Sequence, residues 1–152
     1  MHGDGTSLWT LTHSSDFAKA FVGLLGLPQA VGDVFTITSD EYLSWNRIYE
    51  LFAEAAGAPT PHLVHIATDT IAAAAPDLGP SLLGDKSHSV IFDNSKVKAL
   101  VPEFICTVPL ALGARQILNW FDSNPDLQIV DEGLNATFDQ LIAAARPSLR
   151  AG

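Results

Sequence analysis

Four stretches of this chain repeat apolar residues at helical spacing, while only three, of four to six residues each, read as strands. A chain patterned this way has few backbone ladders and many one-sided helices, so it must bury helix stripes against one another or against a thin sheet. The first stretch, "SSDFAKAFVGLLGL" (14–27), puts Phe17, Phe21, Leu24 and Leu25 on one face with Ala20 between them. Ser14 or Ser15 is its expected cap, and Asp16 suits the positive end of the helix dipole. In "SWNRIYELFAEAAG", Ser44 is the expected cap, Trp45, Ile48, Phe52 and Ala55 form the stripe, and Gly57 is the stop signal. Leu110, Ala114, Ile117, Leu118 and Phe121 keep helical spacing after an entry at Thr107 and Pro109. Phe138, Leu141, Ile142 and Ala145 do so after an expected cap at Asn135, with Pro147 at the helix end. Two shorter helices complete the set, one Ala-rich, capped by Thr68 and ended by Pro76, the other "NSKVKAL", capped by Asp93.

The strand readings are "DVFTIT" (33–38), "HLVHI" (62–66) and "VIFD" (90–93), and "PDLGPSLLGDKSHS" reads as loop. The order assigns an α/β class, or α+β taken in isolation: one domain over residues 1–152, without repeat, linker or internal boundary, and with apolar faces in need of cover.

An apolar fraction of 47% is enough for a core, whereas a charged fraction of 16% is low and suggests surface that faces another domain or subunit. Asp and Glu number 17 against 8 Lys and Arg, a net charge of −9, and no Lys or Arg falls between Arg47 and Lys86. Binding to nucleic acid or to an anionic membrane needs clustered positive charge, so neither partner is expected. No run is long and apolar enough to cross a bilayer, and the N-terminus lacks the basic start and apolar core of a signal peptide. The expected protein is soluble and cytoplasmic. Cys106 is the only cysteine, which excludes an intrachain disulfide; within "FICTVPL" it reads as a buried, inert thiol.

The opening "GDGTSLWTLTH" invites a phosphate-loop reading, but Gly3 and Gly5 stand about ten residues before the helix, whereas a phosphate cradle needs its glycines at the helix N-terminus. No Gly-Lys-Ser/Thr follows, and Gly-x-Gly-x-x-Gly occurs nowhere, so the turn reading is preferred. His62 and His65 form a His-x-x-His pair, but on a strand that spacing sends them to opposite faces, and no Asp, Glu or Cys stands beside them at ligand spacing. No metal is expected. There is no Gly-x-Ser-x-Gly nucleophile elbow, and the carboxylates are scattered, mostly at caps as Asp16 and Asp93 are.

Four pieces, in order, resemble the extended short-chain dehydrogenase/reductases, the NAD-dependent sugar epimerases and dehydratases. "GDGTSLWTLTHSSDFAKAFVGLL" is similar to their G-D-G-T … h-V-x-D-[LF]-A-x-A segment, and "AVGDVFTITSDEYLSWNRIYELFAEAAG" to their next strand and helix. "GDKSHSVIFDNSKVKALVPEF" resembles their G-D … x-D-x-S/T-K stretch, and "LALGARQILNWF" their closing helix. The resemblance covers about residues 3 to 125, in an arrangement four motifs long. It implies the C-terminal, substrate-binding portion of such an enzyme, inactive alone. The N-terminal dinucleotide-binding domain and the catalytic Tyr-x-x-x-Lys would be absent, since Tyr42 is followed four residues on by Asn46, and Tyr49 by Ala53. This chain alone would then bind no cofactor; NAD or NADP would belong to the full-length enzyme. Expected partners are a sugar-like small molecule, the missing Rossmann half and a possible second copy of the chain.

Two departures bear on the substrate. Trp9 stands where relatives that bind nucleotide-diphosphate sugars place an arginine, and Leu82 and Leu83 match the position of a second. Arginine clamps a diphosphate through two parallel hydrogen bonds, and neither Trp nor Leu replaces that charge. A smaller or less charged substrate is expected. The resemblance makes Trp9, Lys86 and His88 the candidate substrate-binding residues. It makes His13 and Asp16 structural contacts at the helix start, and Lys96 the anchor of its turn. The alternative is a stand-alone binding or protein-interaction domain that reuses the same half-fold.

Overall fold

In the computed structural model, residues 1–149 are described, with the side chains of 146–149 outside the description. The chain is mostly helical among these residues. In order it forms β1 (Leu8–Trp9), α1 (Ser14–Leu24), β2 (Leu43–Ser44), α2 (Trp45–Ala55), α3 (Thr68–Ala74), α4 (Gly79–Ser81), α5 (Ser95–Leu100), α6 (Leu110–Ser123) and α7 (Glu132–Leu149). β1 and β2 pair antiparallel, Leu8 opposite Ser44 and Trp9 opposite Leu43, in a two-stranded sheet.

The helices lie where the apolar spacing puts them, but several ends differ. Ser44 caps α2 as read, its hydroxyl accepting from the Arg47 N–H at 3.2 Å, and Gly57 leaves the helix with a φ of +65°. α1 is capped by His13 rather than Ser14 or Ser15: His13 Nδ1 accepts from the Ser15 N–H at 3.3 Å. α3 starts at Thr68 itself, so Ala67 stands at the cap position and no side chain caps the helix, while the Thr68 hydroxyl accepts from Ser87. α7 begins before Asn135, with Asp131 accepting from the Leu134 N–H, and continues to Leu149, past Pro147. Asp93 does hold the start of α5, accepting from the Ser95 N–H at 2.8 Å. α6 has no side-chain cap of its own; Glu41, far back in the chain, accepts from the Leu110 N–H at 2.8 Å.

The stretch 76–89, read as loop, is helical over 76–86: a 3₁₀ turn at Pro76–Leu78, α4, and a π turn at Leu82–Lys86. Pro76 and Pro80 sit in first turns, where a missing N–H costs nothing, so these residues do not stop the helical path.

None of the three expected strands forms as such. Residues 33–38 are extended and alternate, with Phe35 and Ile37 packed on the core and Val34 outside, but no backbone ladder borders them among the described residues. Residues 90–93 are extended, joined to β1 only where the Val90 N–H donates to Leu8 O. Residues 62–66 make a single parallel bridge, His2 with Ile66.

Two cores result. Ala20, Val97, Val101 and Phe104 close one, between α1, α5 and the 33–38 segment. Here the face of α1 is shifted from the one the large residues mark. Ala20 is fully buried, while Phe17 and Phe21 stack on each other outside, 44% and 50% exposed. The small residues win because Val101, the residue that ends α5, comes so close that a Cβ on Gly23 would stand 2.5 Å from it. Val64, Ile66, Ile71 and Leu141 close the second core, which holds α7 against α3 and the helical turns after it. α2, with Ile48 and Leu51 buried, lies along α6.

Candidate functional site

The site grows from the N-terminal turn. Gly3 and Gly5 have φ of +54° and +69°, which side chains resist, and a Cβ on Gly5 would overlap the Asn46 side chain. Asp4 accepts from both the N–H and the hydroxyl of Thr6, at 2.9 and 2.7 Å, and these bonds hold its carboxyl below the usual range. The turn is fixed to its surroundings by Gly3 N–H to Ile66 O (2.8 Å), Asn46 N–H to Gly5 O (3.0 Å) and Asn46 Nδ2 to Asp4 O (2.9 Å). Asn46 Oδ1 in turn accepts from His65 Nε2 at 2.9 Å. These amides are engaged within the chain, and α1 begins further on under its own cap. The turn therefore does not fit the pyrophosphate of a dinucleotide.

From the turn the chain passes through β1, and the strap 86–90 runs beside it. Lys86 O accepts from Ser7 Oγ (2.7 Å) and His2 Nε2 (3.1 Å), Ser89 Oγ accepts from the Leu8 N–H (3.0 Å), and the Val90 N–H donates to Leu8 O. Burial lowers the pKa of His2, which favours the neutral ring. These bonds bring two of the sequence-assigned residues together: Lys86 Nζ stands 5.8 Å from the centre of the Trp9 ring, a cation over an aromatic face. Lys86 also donates to Ser81 Oγ at 2.6 Å. Trp9 lies 5.8 Å from Trp45, whose ring meets His2 edge-on at 5.4 Å. His88 is on the same strap and exposed, its N–H donating to Asp85 O.

The other assigned residues lie elsewhere. Asp16 is 1% exposed in the first turn of α1, and its carboxylate joins that helix to the entry of α6. It accepts from Lys19 Nζ (2.6 Å) and from the N–H groups of Thr107 (3.0 Å) and Val108 (2.9 Å). Burial would raise its pKa, but these donors more than offset that and hold it at about 2. Thr107 is thus a donor to Asp16. Lys96 Nζ reaches Asp33 (2.6 Å) and Val34 O (3.0 Å) and covers the Phe35 ring at 4.9 Å. Leu82 packs on the second core and Leu83 is exposed. Arg47, on the helix that starts beside the site, is drawn to Glu50 and Glu54. Half-buried Cys106 has its thiol pKa pushed up by burial. His62 lines an apolar hollow of about 300 Å³ beside Ile71, Phe138 and Leu141, while His65 bonds Asn46. No group of three metal-binding side chains is assembled among the described residues.

A second hollow of about 300 Å³ went unmarked in the sequence. It is polar, and opens between the N-terminal turn, Thr68 at the start of α3, and Ser87 and Ser89 of the strap. Its hydroxyls come from three distant segments, and no local pattern announces them.

The fold has a counterpart among solved structures. It superposes on the dTDP-glucose 4,6-dehydratase of Bacillus anthracis str. Ames, solved in complex with NAD, with a TM-score of 0.60 over 84% of this chain and 16% sequence identity. The described fold is thus shared with part of that dehydratase. It spans 35% of the dehydratase chain. Among curated proteins, 61 residues are 33% identical to the chloroplast stem-loop binding protein of 41 kDa b of Arabidopsis thaliana, 40% of this chain and 16% of that one. No family model matches the chain. No helix among the described residues is long and apolar enough to cross a membrane.

Proposed function

We propose that this chain supplies the substrate-side part of an NAD- or NADP-dependent sugar epimerase or dehydratase. The dinucleotide-binding half, with its Tyr-x-x-x-Lys pair, would come from outside these residues. The observation that carries this reading is the superposition of 84% of the chain on about a third of an NAD-complexed sugar dehydratase. The bound dinucleotide would supply hydride transfer; the residues here do not fit it, and their work is to bind and orient. Trp9 offers a flat face for a ring, and Lys86 one cation beside it, with His88 on the same strap. One ammonium is a poor match for a diphosphate held elsewhere by two guanidinium forks, so the substrate is a sugar-like molecule that is neutral or singly charged. The relative's stem-loop binding is a property of that protein; at −9, this chain has no counterion-displacing patch for RNA.

The test begins with the DNA upstream. An in-frame or adjacent coding segment with Gly-x-x-Gly-x-x-Gly and Tyr-x-x-x-Lys, whose product co-purifies with this chain and together with it turns over a sugar with NAD or NADP, sustains the proposal. A gene that starts at Met1 with no such partner returns the chain to a stand-alone binding domain. In the assembled enzyme, Trp9→Ala should raise KM about tenfold, the worth of one aromatic contact. An unchanged KM removes Trp9 from the site.

A further inference from the structure

The polar hollow between the N-terminal turn, Thr68 and the strap has a donor and acceptor set that selects its occupant. Asp4 uses Oδ1 to hold Thr6, and Oδ2 is left to accept. Ser7 Oγ donates its proton to Lys86 O, so its lone pairs are left to accept. Ser87 donates to Thr68 Oγ1, which leaves the Thr68 proton to give, and Ser89 accepts from the Leu8 N–H, which leaves its own proton to give. His2 donates Nε2–H to Lys86 O and adds no positive charge. By the same reasoning the Thr6 and Ser87 hydroxyls, which donate to Asp4 and Thr68, are left to accept, so the wall is four acceptors, one of them the Asp4 carboxylate, two donors and no lysine or arginine.

A phosphate dianion brings acceptors only and would meet the Asp4 charge. An apolar group would offer none of these groups a partner on the side of the hollow. Neighbouring hydroxyls on a ring both give and take protons, and a hollow of about 300 Å³ lies at the small end of ligand sites. We infer that this hollow is a subsite for a neutral polyhydroxylated ring, a sugar unit without its phosphate. The ring's hydroxyls would donate to Asp4 and Ser7 and accept from Thr68 and Ser89. The inference deepens the proposed function, and rests on it for the ring's being part of the enzyme's substrate.

The test is a titration of the 152-residue chain with glucose and, separately, with inorganic phosphate, read by amide chemical shifts. Glucose should move Gly3, Ser7, Thr68, Ser87 and Ser89 together and saturably, and phosphate should not. Thr68→Val and Ser89→Ala, each removing one donor, should weaken glucose about fivefold, one hydrogen bond's worth, with the remaining spectrum unchanged as a check of folding. Phosphate binding in place of glucose, no saturable shift at these amides, or affinity indifferent to both variants overturns the inference. An assembled enzyme that turns over sugar while the hollow ignores glucose leaves the proposed function standing without this subsite. A hollow that binds glucose in a chain with no catalytic partner leaves the subsite and removes the enzyme.

Discussion

Asp16 shows how one side chain can be read correctly in kind and underestimated in degree. An acidic residue in a first turn suggests a dipole contact. Burial and four donors, the Thr107 hydroxyl among them, make it instead a clasp to residues 91 and 92 positions away, Thr107 and Val108. Asp16→Asn removes the charge and one acceptor from a buried site, and should cost about 2–4 kcal/mol in urea unfolding. The pH dependence follows from the lowered pKa. The unfolded carboxyl takes up a proton near its ordinary value, the folded one only near 2, so acid favours unfolding. The contribution is complete above about pH 5 and is lost as the pH falls toward 2; the Asn variant should lack this part of the acid dependence. Trp9 and Lys86 could each be named from the sequence, because a position in a motif marks them. Their meeting could not, since it depends on bonds between Leu8 and the strap some 80 residues later. Thr68 was marked only as a helix cap, and Ser7 and Ser89 only as members of longer stretches: a hydroxyl becomes a site residue only through the partners that orient it.

At the level of elements, helices were legible and strands were not. A helix satisfies its own backbone, so its apolar spacing suffices to place it. A strand needs a neighbour, and alternation in "DVFTIT" describes a surface without saying whether a ladder will border it. The α1 stripe misled for a different reason. Phe17 and Phe21 dominate any hydrophobic pattern, yet the close approach of Val101, the residue that ends α5, demands the small Ala20 and Gly23 face. Glycine and proline likewise made 76–86 look like loop, although first-turn prolines are compatible with the helical turns there. The remote cap of α6 gives a test. Glu41→Ala leaves the Leu110 N–H without its acceptor and should cost about 1 kcal/mol, with faster hydrogen exchange confined to the first turn of α6. Glu41→Gln, which keeps an acceptor, should restore most of the protection.

The molecule as a whole has more apolar surface than its cores use. Phe17, Phe21, Val22 and Leu25 stand out on α1, and Leu112, Ile117 and Trp120 on α6. Apolar faces left outside a core are where a partner would sit, and the proposed dinucleotide half is one candidate to cover them. The isolated chain should bind an anilinonaphthalene dye and self-associate at high concentration. Phe17→Ser combined with Phe21→Ser should reduce both while leaving the melting temperature nearly unchanged, because these rings contribute little to the core. A dye-silent monomer would show that the faces need no cover. The extended 33–38 segment has a related consequence for handling the protein. It is rich in β-branched and aromatic residues and has no strand beside it among the described residues, a composition that favours pairing with another chain. The Lys96–Asp33 and Lys98–Asp40 pairs stand at its two ends as charged gatekeepers. Both are exposed to screening, so concentrated salt, which usually quiets an acidic protein's self-repulsion harmlessly, would here also loosen the two pairs that flank this segment.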